Sequence, residues 1–194
     1  MNKVITISRQ YGSGGRELGE KLAQKLGIPF YDKELIKMIA KEGNIEASMV
    51  EAYDEVEPDF DNYSVRDIPP DYQIAMTQKI YSAQCKVIGD LAAKGPCVIV
   101  GRCADAILQD AVRIFVFAEM ESRVRRIADL LPDLPADRLE KRIISVDRRR
   151  KAYHEYYSTK NWGEMEGYDL CLNSGKVGVD GCVETAAAYI GRVG

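Results

Sequence analysis

Apolar residues along the chain form short unbroken runs that alternate with longer stretches in which they recur every three or four positions. The short runs are typical of strands buried on both faces, and the longer stretches are typical of amphipathic helices. The predicted strands are residues 4–8, 30–31, 97–100, 112–117 and 169–173. The predicted helices are residues 18–26, a pair within 33–52 that breaks near 43–44, and residues 71–94, 119–131, 135–157 and 179–192. This alternation predicts a parallel sheet in a three-layer α/β fold, with residues 1–194 forming a single domain.

The segment 53–71 interrupts the pattern. Acidic residues dominate it from Asp54 to Asp61, and Pro69-Pro70 follow soon afterwards. Such a composition predicts an exposed, mobile connection between two helices.

Composition narrows the class of protein. The chain has 194 residues, of which 46% are hydrophobic and 29% charged, as in ordinary globular proteins. Its formal net charge of −3 disfavours a nucleic-acid polymer as partner. No apolar run is long enough for a membrane span or a signal peptide, so we expect a cytoplasmic protein without membrane contact. Composition does not indicate an oligomeric state.

The cysteines and the lone histidine limit the possible chemistry. Five cysteines without a C-x-x-C pair predict reduced thiols. A single histidine, His154, excludes a histidine-rich metal site. His154 lies in a charged helical stretch, so a nucleophilic site that depends on it is not expected.

A glycine-rich turn joins the first strand to the first helix. Residues 9–17 read Arg-Gln-Tyr-Gly-Ser-Gly-Gly-Arg-Glu. A strand, a turn of small residues and a helix N-terminus together bind phosphate, because backbone N–H groups and the helix dipole converge there. Against the pattern G-x-x-x-x-G-K-[ST], Gly15 takes the last glycine and Arg16 the lysine, whereas Gln10 and Glu17 depart from it. The alternative is an ordinary glycine-rich turn.

Arg16 and Glu17 differ in how well they suit a phosphate site. A guanidinium binds phosphate oxygens in a bidentate way, so Arg16 is a reasonable replacement for lysine. A carboxylate repels a polyphosphate unless Mg²⁺ lies between them, or unless Glu17 only caps the helix. Both interpretations of Glu17 stay open.

Further charged residues lie where a phosphate-transfer site would need them. Arginines cluster in residues 121–126 and 147–151, which is either positive charge for phosphoryl transfer or a solvated helix face. Asp147 precedes Arg150 by one helical turn, so the acid is expected to orient the base. Asp32 and Arg102 follow apolar strands, and ligands of open α/β sheets gather at the carboxyl ends of strands.

Taken together, these pieces resemble the cytidylate kinase-like family of nucleoside monophosphate kinases. The resemblance covers residues 4–35, 98–126, 147–150 and 168–184. It implies a P-loop kinase fold with a five-stranded parallel sheet, a helical insert on the substrate side at about 40–94 and a lid at about 132–165. It also implies ATP and Mg²⁺ as cofactors and a nucleoside monophosphate as the substrate.

The resemblance assigns roles residue by residue. It implies catalytic roles for Arg16, Arg126, Asp147 and Arg150. It implies cofactor binding by Gly12, Ser13, Gly14, Gly15, Arg16 and Arg123, and substrate binding by Asp32 and Arg102. Cofactor binding and metal contact by Glu17 do not come from the resemblance; they are expected if Mg²⁺ lies between its carboxylate and the phosphates.

The sequence departs from the family pattern in three places. Arg16 and Glu17 replace the Lys and Ser/Thr of the usual loop. Cys103 replaces the Asp of a Gly-Arg-Asp motif that is expected to recognise cytosine, so base discrimination is in question. Residues 40–90 do not reproduce the usual insert.

Three hypotheses follow. The first is ATP-dependent phosphoryl transfer to a nucleoside monophosphate, with CMP or dCMP favoured. The second is a P-loop kinase for another small acceptor, and the third is a nucleotide-binding module without catalysis. Tyr153, Tyr156, Tyr157 and Trp162 either stack on a base or pack in the protein, and packing is the commoner role of such residues.

Overall fold

The computed structural model describes residues 3–55 and 70–193. Within them, five strands form one parallel sheet in the order β2-β3-β1-β4-β5. The strands are β1 (Ile5–Arg9), β2 (Phe30–Tyr31), β3 (Val98–Val100), β4 (Val112–Phe117) and β5 (Leu170–Asn173). The predicted α/β class and parallel sheet are confirmed.

Helices connect successive strands. They are α1 (Gly15–Leu26), α2 (Glu34–Gly43), α3 (Ala47–Ala52), α4 (Pro70–Lys94), α5 (Ala104–Ile107), α6 (Met120–Leu130), α7 (Ala136–Tyr157) and α8 (Ser174–Val193). The sequence pattern missed α5 and a 3₁₀ turn at Met165–Gly167, which are too short to show a helical period. The predicted last helix, residues 179–192, begins directly after a kink at Gly178 (φ 71°, ψ 171°), and the pattern missed the short helical segment before this kink.

Both faces of the sheet are covered by helices. On one face, side chains of α1 and α8, among them Leu22 and Ile190, pack on Ile7 of β1. On the other face, Ile39 of α2 packs with residues of α4 and with Ile99 of β3. Burial on both sides explains why the strands are continuous apolar runs rather than alternating ones.

The helices α6 and α7 pack on each other through a separate small cluster. Its buried members are Ile127, Leu139 and Ile143. The division of the chain into an insert at 40–94 and a lid at 132–165 stays a prediction.

The acidic segment only partly fits its prediction. Residues 56–69 of it lie outside the described residues. Asp54 and Glu55 are described, and their side chains are only 25% and 15% exposed because they pair with arginines. The prediction of an exposed connection is therefore wrong for these two residues.

The remaining global predictions concern membranes and cysteines. In the described residues, every helix is too short or too polar to cross a lipid bilayer. All five cysteines fall in these residues and are free thiols.

Gly19 sets how closely α1 approaches the sheet. A Cβ at Gly19 would lie 2.9 Å from Val100 Cγ2 and 3.1 Å from Ile7 Cδ1. We therefore expect Gly19→Ala to lower the free energy of unfolding by ~1–3 kcal/mol, as overpacking does in other cores. Gly89→Ala in α4 is the control, since nothing lies within 4 Å of its Cβ. In the control, the free energy of unfolding is expected to rise by about 0.5–1 kcal/mol, because alanine has a higher helix propensity than glycine. Urea denaturation measures the free energy of unfolding of both variants. Equal changes in Gly19→Ala and Gly89→Ala would contradict this account of the packing.

Candidate functional site

The strand order positions a cleft at the carboxyl end of β1. This strand lies between β3 and β4. The connection that follows β1 runs toward the edge formed by β2, whereas the connection that follows β4 runs toward the edge formed by β5. Open α/β sheets bind ligands at such a point. Here the cleft has a volume of about 600 Å³, and residues 9–12 and 14–17 line one side of it.

Two glycines of the turn adopt a left-handed backbone. Gly12 has φ 83° and Gly14 has φ 78°, a region that other residues rarely occupy. A Cβ at Gly12 would also lie 3.0 Å from Ile127 Cγ1 of α6. Both positions thus need glycine for the conformation of the turn, and Gly12 also needs it for the approach of α6.

The N-terminus of α1 has no protein cap. Gly14 is the N-cap residue and provides no side-chain hydrogen bond. Within the described parts of the chain, nothing accepts a hydrogen bond from the backbone N–H groups of residues 14–17. These unpaired donors and the helix dipole favour an anion at this end of the cleft.

Hydrogen bonds to neighbouring elements fix the turn in place. The Ser13 hydroxyl donates to the carbonyl oxygen of Gln10 at 2.8 Å and contacts that of Val116 in β4 at 3.1 Å. The Gln10 side chain accepts from the backbone N–H of Ala118 at 3.2 Å. Ser13 itself is buried outside the cleft lining, so its hydroxyl supports the loop.

The predicted substrate residues come together with Arg16. Arg16 Nε lies 2.7 Å from Asp32 Oδ2, and Arg102 Nη1 donates to the Asp32 carbonyl oxygen at 2.8 Å. The Arg16 side chain is 53% exposed and the Arg102 side chain 3% exposed. Asp32 thus links the helix N-terminus to the turn after β3, through its carboxylate on one side and its backbone carbonyl on the other.

Backbone strain helps to position Arg102. Both Arg102 and Cys103 have positive φ, at 55° and 52°. The Gln84 side chain of α4 donates to the Arg102 carbonyl oxygen at 2.7 Å and holds this turn. Such conformations in residues other than glycine persist where the surrounding structure enforces them, often at functional sites.

Glu17 is paired with two cations. Lys21 Nζ lies 2.8 Å from Glu17 Oε1, and Arg126 contacts Glu17 Oε2. The hydrogen bond from Lys21 and the charge of Arg126 lower the pKa of Glu17. The described residues contain no cluster of three metal-ligating side chains.

Arg123 and Asp147 tie α6 and α7 to the glycine-rich turn. Arg123 Nη1 lies 2.5 Å from Asp147 Oδ2, and Asp147 Oδ1 accepts from the Tyr11 backbone N–H at 2.6 Å. Neither residue lines the cleft. The expected pairing of Asp147 with Arg150 does not occur, because Arg150 turns toward a different carboxylate.

That carboxylate belongs to Glu55. Glu55 Oε2 lies 3.1 Å from Arg150 Nε, and Oε1 lies 2.6 Å from Arg9 Nη1. Burial alone would raise the pKa of Glu55, but the charges of Arg9 and Arg150 outweigh it and hold the pKa well below its usual range. Neighbouring Asp54 accepts from Arg102 Nη2 at 2.8 Å, yet burial raises its pKa.

Arg9, Asp54 and Glu55 were missed by sequence reasoning. Arg9 directly precedes the turn, but an isolated arginine at a strand end is no signal by itself. The two acids lie in a segment whose composition predicts exposure. Only the general need of a buried arginine for an acidic partner would have pointed to them.

His154 and the aromatic residues have structural roles. His154 Nε2 lies 2.7 Å from Asp105 Oδ2, and the Ser8 hydroxyl donates to the other oxygen of Asp105. The carboxylate therefore separates the serine from the histidine, and the arrangement is no nucleophilic triad.

The aromatic side chains mostly pack in the protein. Tyr157 stacks on Tyr81 with ring centroids 3.8 Å apart and meets Tyr153 edge to face, and Trp162 packs on Phe115. Tyr156 meets the Tyr157 ring edge to face and is half exposed. Packing, the commoner role of such residues, thus accounts for three of the four.

Comparisons with known proteins support this description. The model of the cytidylate kinase-like family matches residues 4–176. An uncharacterized protein from Eubacterium ventriosum is 27% identical, with a TM-score of 0.75 over 97% of this chain and 98% of that chain. A search of curated proteins found no match.

Shikimate kinases share the fold at lower identity. The enzyme from Bacteroides thetaiotaomicron is 14% identical, with a TM-score of 0.58 over 98% of this chain and 99% of its own. The enzyme from Acinetobacter baumannii is 12% identical, with a TM-score of 0.53 over 98% of this chain and 93% of its own. This likeness confirms the predicted P-loop kinase fold.

The tie between Arg123 and Asp147 yields a stability prediction. We expect Asp147→Ala to lower the free energy of unfolding by at least ~2 kcal/mol, because it leaves a guanidinium that is only 8% exposed without its acidic partner. Asp137→Ala on the same helix is the control, since its side chain is 66% exposed. This control is expected to lower the free energy of unfolding by less than about 1 kcal/mol. Thermal and urea denaturation check both, and a neutral Asp147→Ala would refute the structural role.

Proposed function

Because the chain belongs to the cytidylate kinase-like family, we propose that it transfers the γ-phosphoryl group of ATP to a nucleoside monophosphate, with CMP or dCMP favoured. The family and the fold suggest a P-loop kinase in general terms. ATP as donor and a monophosphate as acceptor are the proposal. No membrane and no nucleic-acid polymer takes part in it.

The uncapped N-terminus of α1 is the observation that carries the proposal. Unpaired N–H groups of residues 14–17 open into the same cleft as Asp32 and Arg102. In our proposal, the backbone of Gly12–Gly15 and the Arg16 guanidinium bind the phosphates of ATP. Asp32 and Arg102, which line the same cleft, bind the acceptor.

The residues near the loop fit Mg²⁺ only in part. Mg²⁺ is usually held by one or two carboxylates, waters and substrate phosphates, and Glu17 is the carboxylate nearest to the loop's N-terminal donors. When bound, the ion neutralises charge on the transferred phosphoryl group. For Glu17 to contact it, the carboxylate must release Arg126.

Arginines from the later part of the chain complete the proposed site. Arg126 and Arg150 both line the cleft, where they would neutralise charge during transfer. Arg123 and Asp147 would act as positioning residues that hold α7 against the loop, and any contact of Arg123 with the nucleotide stays a prediction. We propose that residues 132–165 form a lid, which excludes water and so limits hydrolysis of ATP. Residues 40–94 would form the substrate-side insert.

Binding without turnover is a second candidate. Glu17 stands where the metal-binding hydroxyl of a P-loop would be, and its carboxylate is already in contact with Arg126. Both observations favour this candidate. A kinase for a different acceptor is the remaining alternative, motivated by Cys103 at the place of the expected Asp.

Phosphoryl transfer from labelled ATP to a panel of acceptors separates these candidates. The panel contains all ribo- and deoxyribonucleoside monophosphates together with small hydroxyl metabolites such as shikimate. We expect CMP or dCMP to be phosphorylated with the highest kcat/KM. A preference for a hydroxyl metabolite would reject the monophosphate as acceptor. ATP binding with no turnover at any Mg²⁺ or Mn²⁺ concentration would support the non-catalytic module.

Arg16→Met tests the loop directly. Because Arg16 is half exposed, the variant is expected to fold, and we expect kcat/KM for ATP to fall by about 10²-fold through the loss of one charged donor. Arg125→Met is the control, since its side chain is 69% exposed and lies outside the cleft. Steady-state kinetics with varied ATP check both. Equal rates for Arg16→Met and the wild type would contradict the assigned role.

A further inference from the structure

The carboxylate of Glu55 lies in an anion site built from three parts of the fold. Arg9 at the end of β1 approaches it at 2.6 Å, and Arg150 of α7 approaches it at 3.1 Å. The backbone N–H of Arg102, after β3, donates to it at 3.1 Å. The donors are held by different elements and converge on one point, which is the geometry of a receptor for an anion.

The site is built into the protein and is not a chance surface contact. The side chains of Arg9 and Arg150 are only 13% and 15% exposed. The side chain of Arg102 is 3% exposed, and its Nε has no acceptor in the described chain. A Cβ at Gly101 would collide with Glu55 Oε1 and Arg9 Nη1, so the glycine leaves room for both groups. One buried donor therefore still lacks an acceptor.

We propose that Glu55 is an internal occupant of the acceptor's anion subsite, and that the phosphate group of the acceptor displaces it on binding. The inference rests on the proposed function, because that function supplies a phosphate-bearing acceptor. It goes further by assigning Arg9 to the site and an autoinhibitory contact to the turn at Asp54-Glu55.

Charge balance supports displacement over simultaneous binding. The guanidiniums of Arg9, Arg102 and Arg150 already face the carboxylates of Asp32, Asp54 and Glu55. A phosphate dianion added to this balanced set would be repelled. If it replaces Glu55, the same donors meet an anion that carries more charge and more acceptor oxygens.

The backbone at Glu55 also favours release. Its φ is 53°, a left-handed conformation that is uncommon for residues other than glycine. The contacts of the carboxylate must compensate for this strain while Glu55 occupies the site. An incoming phosphate that takes over those contacts removes the compensation, so the turn can relax.

Titration calorimetry with inorganic phosphate tests the displacement. Glu55→Gln keeps the shape of the side chain but loses its charge, and we expect it to bind phosphate about 10-fold more tightly than the wild type, because the occupied state no longer competes. Glu51→Gln is the matched control, an exposed acid of the same cleft whose carboxylate pairs with none of the described residues, and should leave the affinity unchanged. Equal or weaker binding by Glu55→Gln would overturn the proposal and make Glu55 a residue that positions the arginines.

Two further measurements test whether tighter phosphate binding by Glu55→Gln occurs at this site. The gain should vanish in the Glu55→Gln/Arg150→Met double variant, because phosphate held only by the glycine-rich loop does not depend on Arg150. A gain that persists would refute the assignment. In the wild type, phosphate should speed hydrogen exchange at the amides of residues 53–55, and slower or unchanged exchange would count against displacement. None of these readouts requires turnover, so failure of the kinase proposal and failure of this inference are separate results.

Discussion

Pairing of guanidiniums with carboxylates is the interaction on which the rest of the cleft depends. The arginines that line it each have an acidic partner, and the pairs are Arg9–Glu55, Arg16–Asp32, Arg102–Asp54, Arg126–Glu17 and Arg150–Glu55. A buried charge without a partner would cost several kcal/mol, so the acids hold the buried arginines in place before any ligand arrives. The charge of the cleft is therefore arranged in advance but largely neutralised. In the proposed function, a polyanion would bind by exchanging partners within this set.

The sheet order explains why these pairs meet at one point. The carboxyl ends of β1, β2 and β3 lie next to one another, and the loops that leave them supply Arg9, Asp32 and Arg102. The helix α7 reaches the same edge from far along the chain and is held there by Asp147, which accepts from the turn's own backbone. Through α7, the glycine-rich turn is thus connected to the arginine–carboxylate pairs at this edge of the sheet.

Most of the fold was predictable because it depends on local patterns. Strands buried on both faces are apolar runs, and the glycine-rich turn requires small residues at fixed spacing, as Gly12 and Gly14 show. The site was predictable only in its residue types. Partner choice depends on three-dimensional distance, so helical spacing wrongly paired Asp147 with Arg150, and an acidic composition wrongly predicted exposure for Glu55. Charges were recognised one by one, whereas the structure uses them in pairs.

Pairing also accounts for the two unusual residues of the loop. An acid at Glu17 would weaken a phosphate site if it stood alone, but Arg126 and Lys21 neutralise it from α6 and from the next turn of α1. Arg16, which replaces the usual lysine, is likewise part of a charge pair. Its guanidinium contacts Asp32 while still lining the cleft. The loop therefore departs from the common pattern by adding paired charges and not by losing its donors. Since the N–H groups of residues 14–17 stay unpaired, the departure leaves intact the feature that a phosphate needs most.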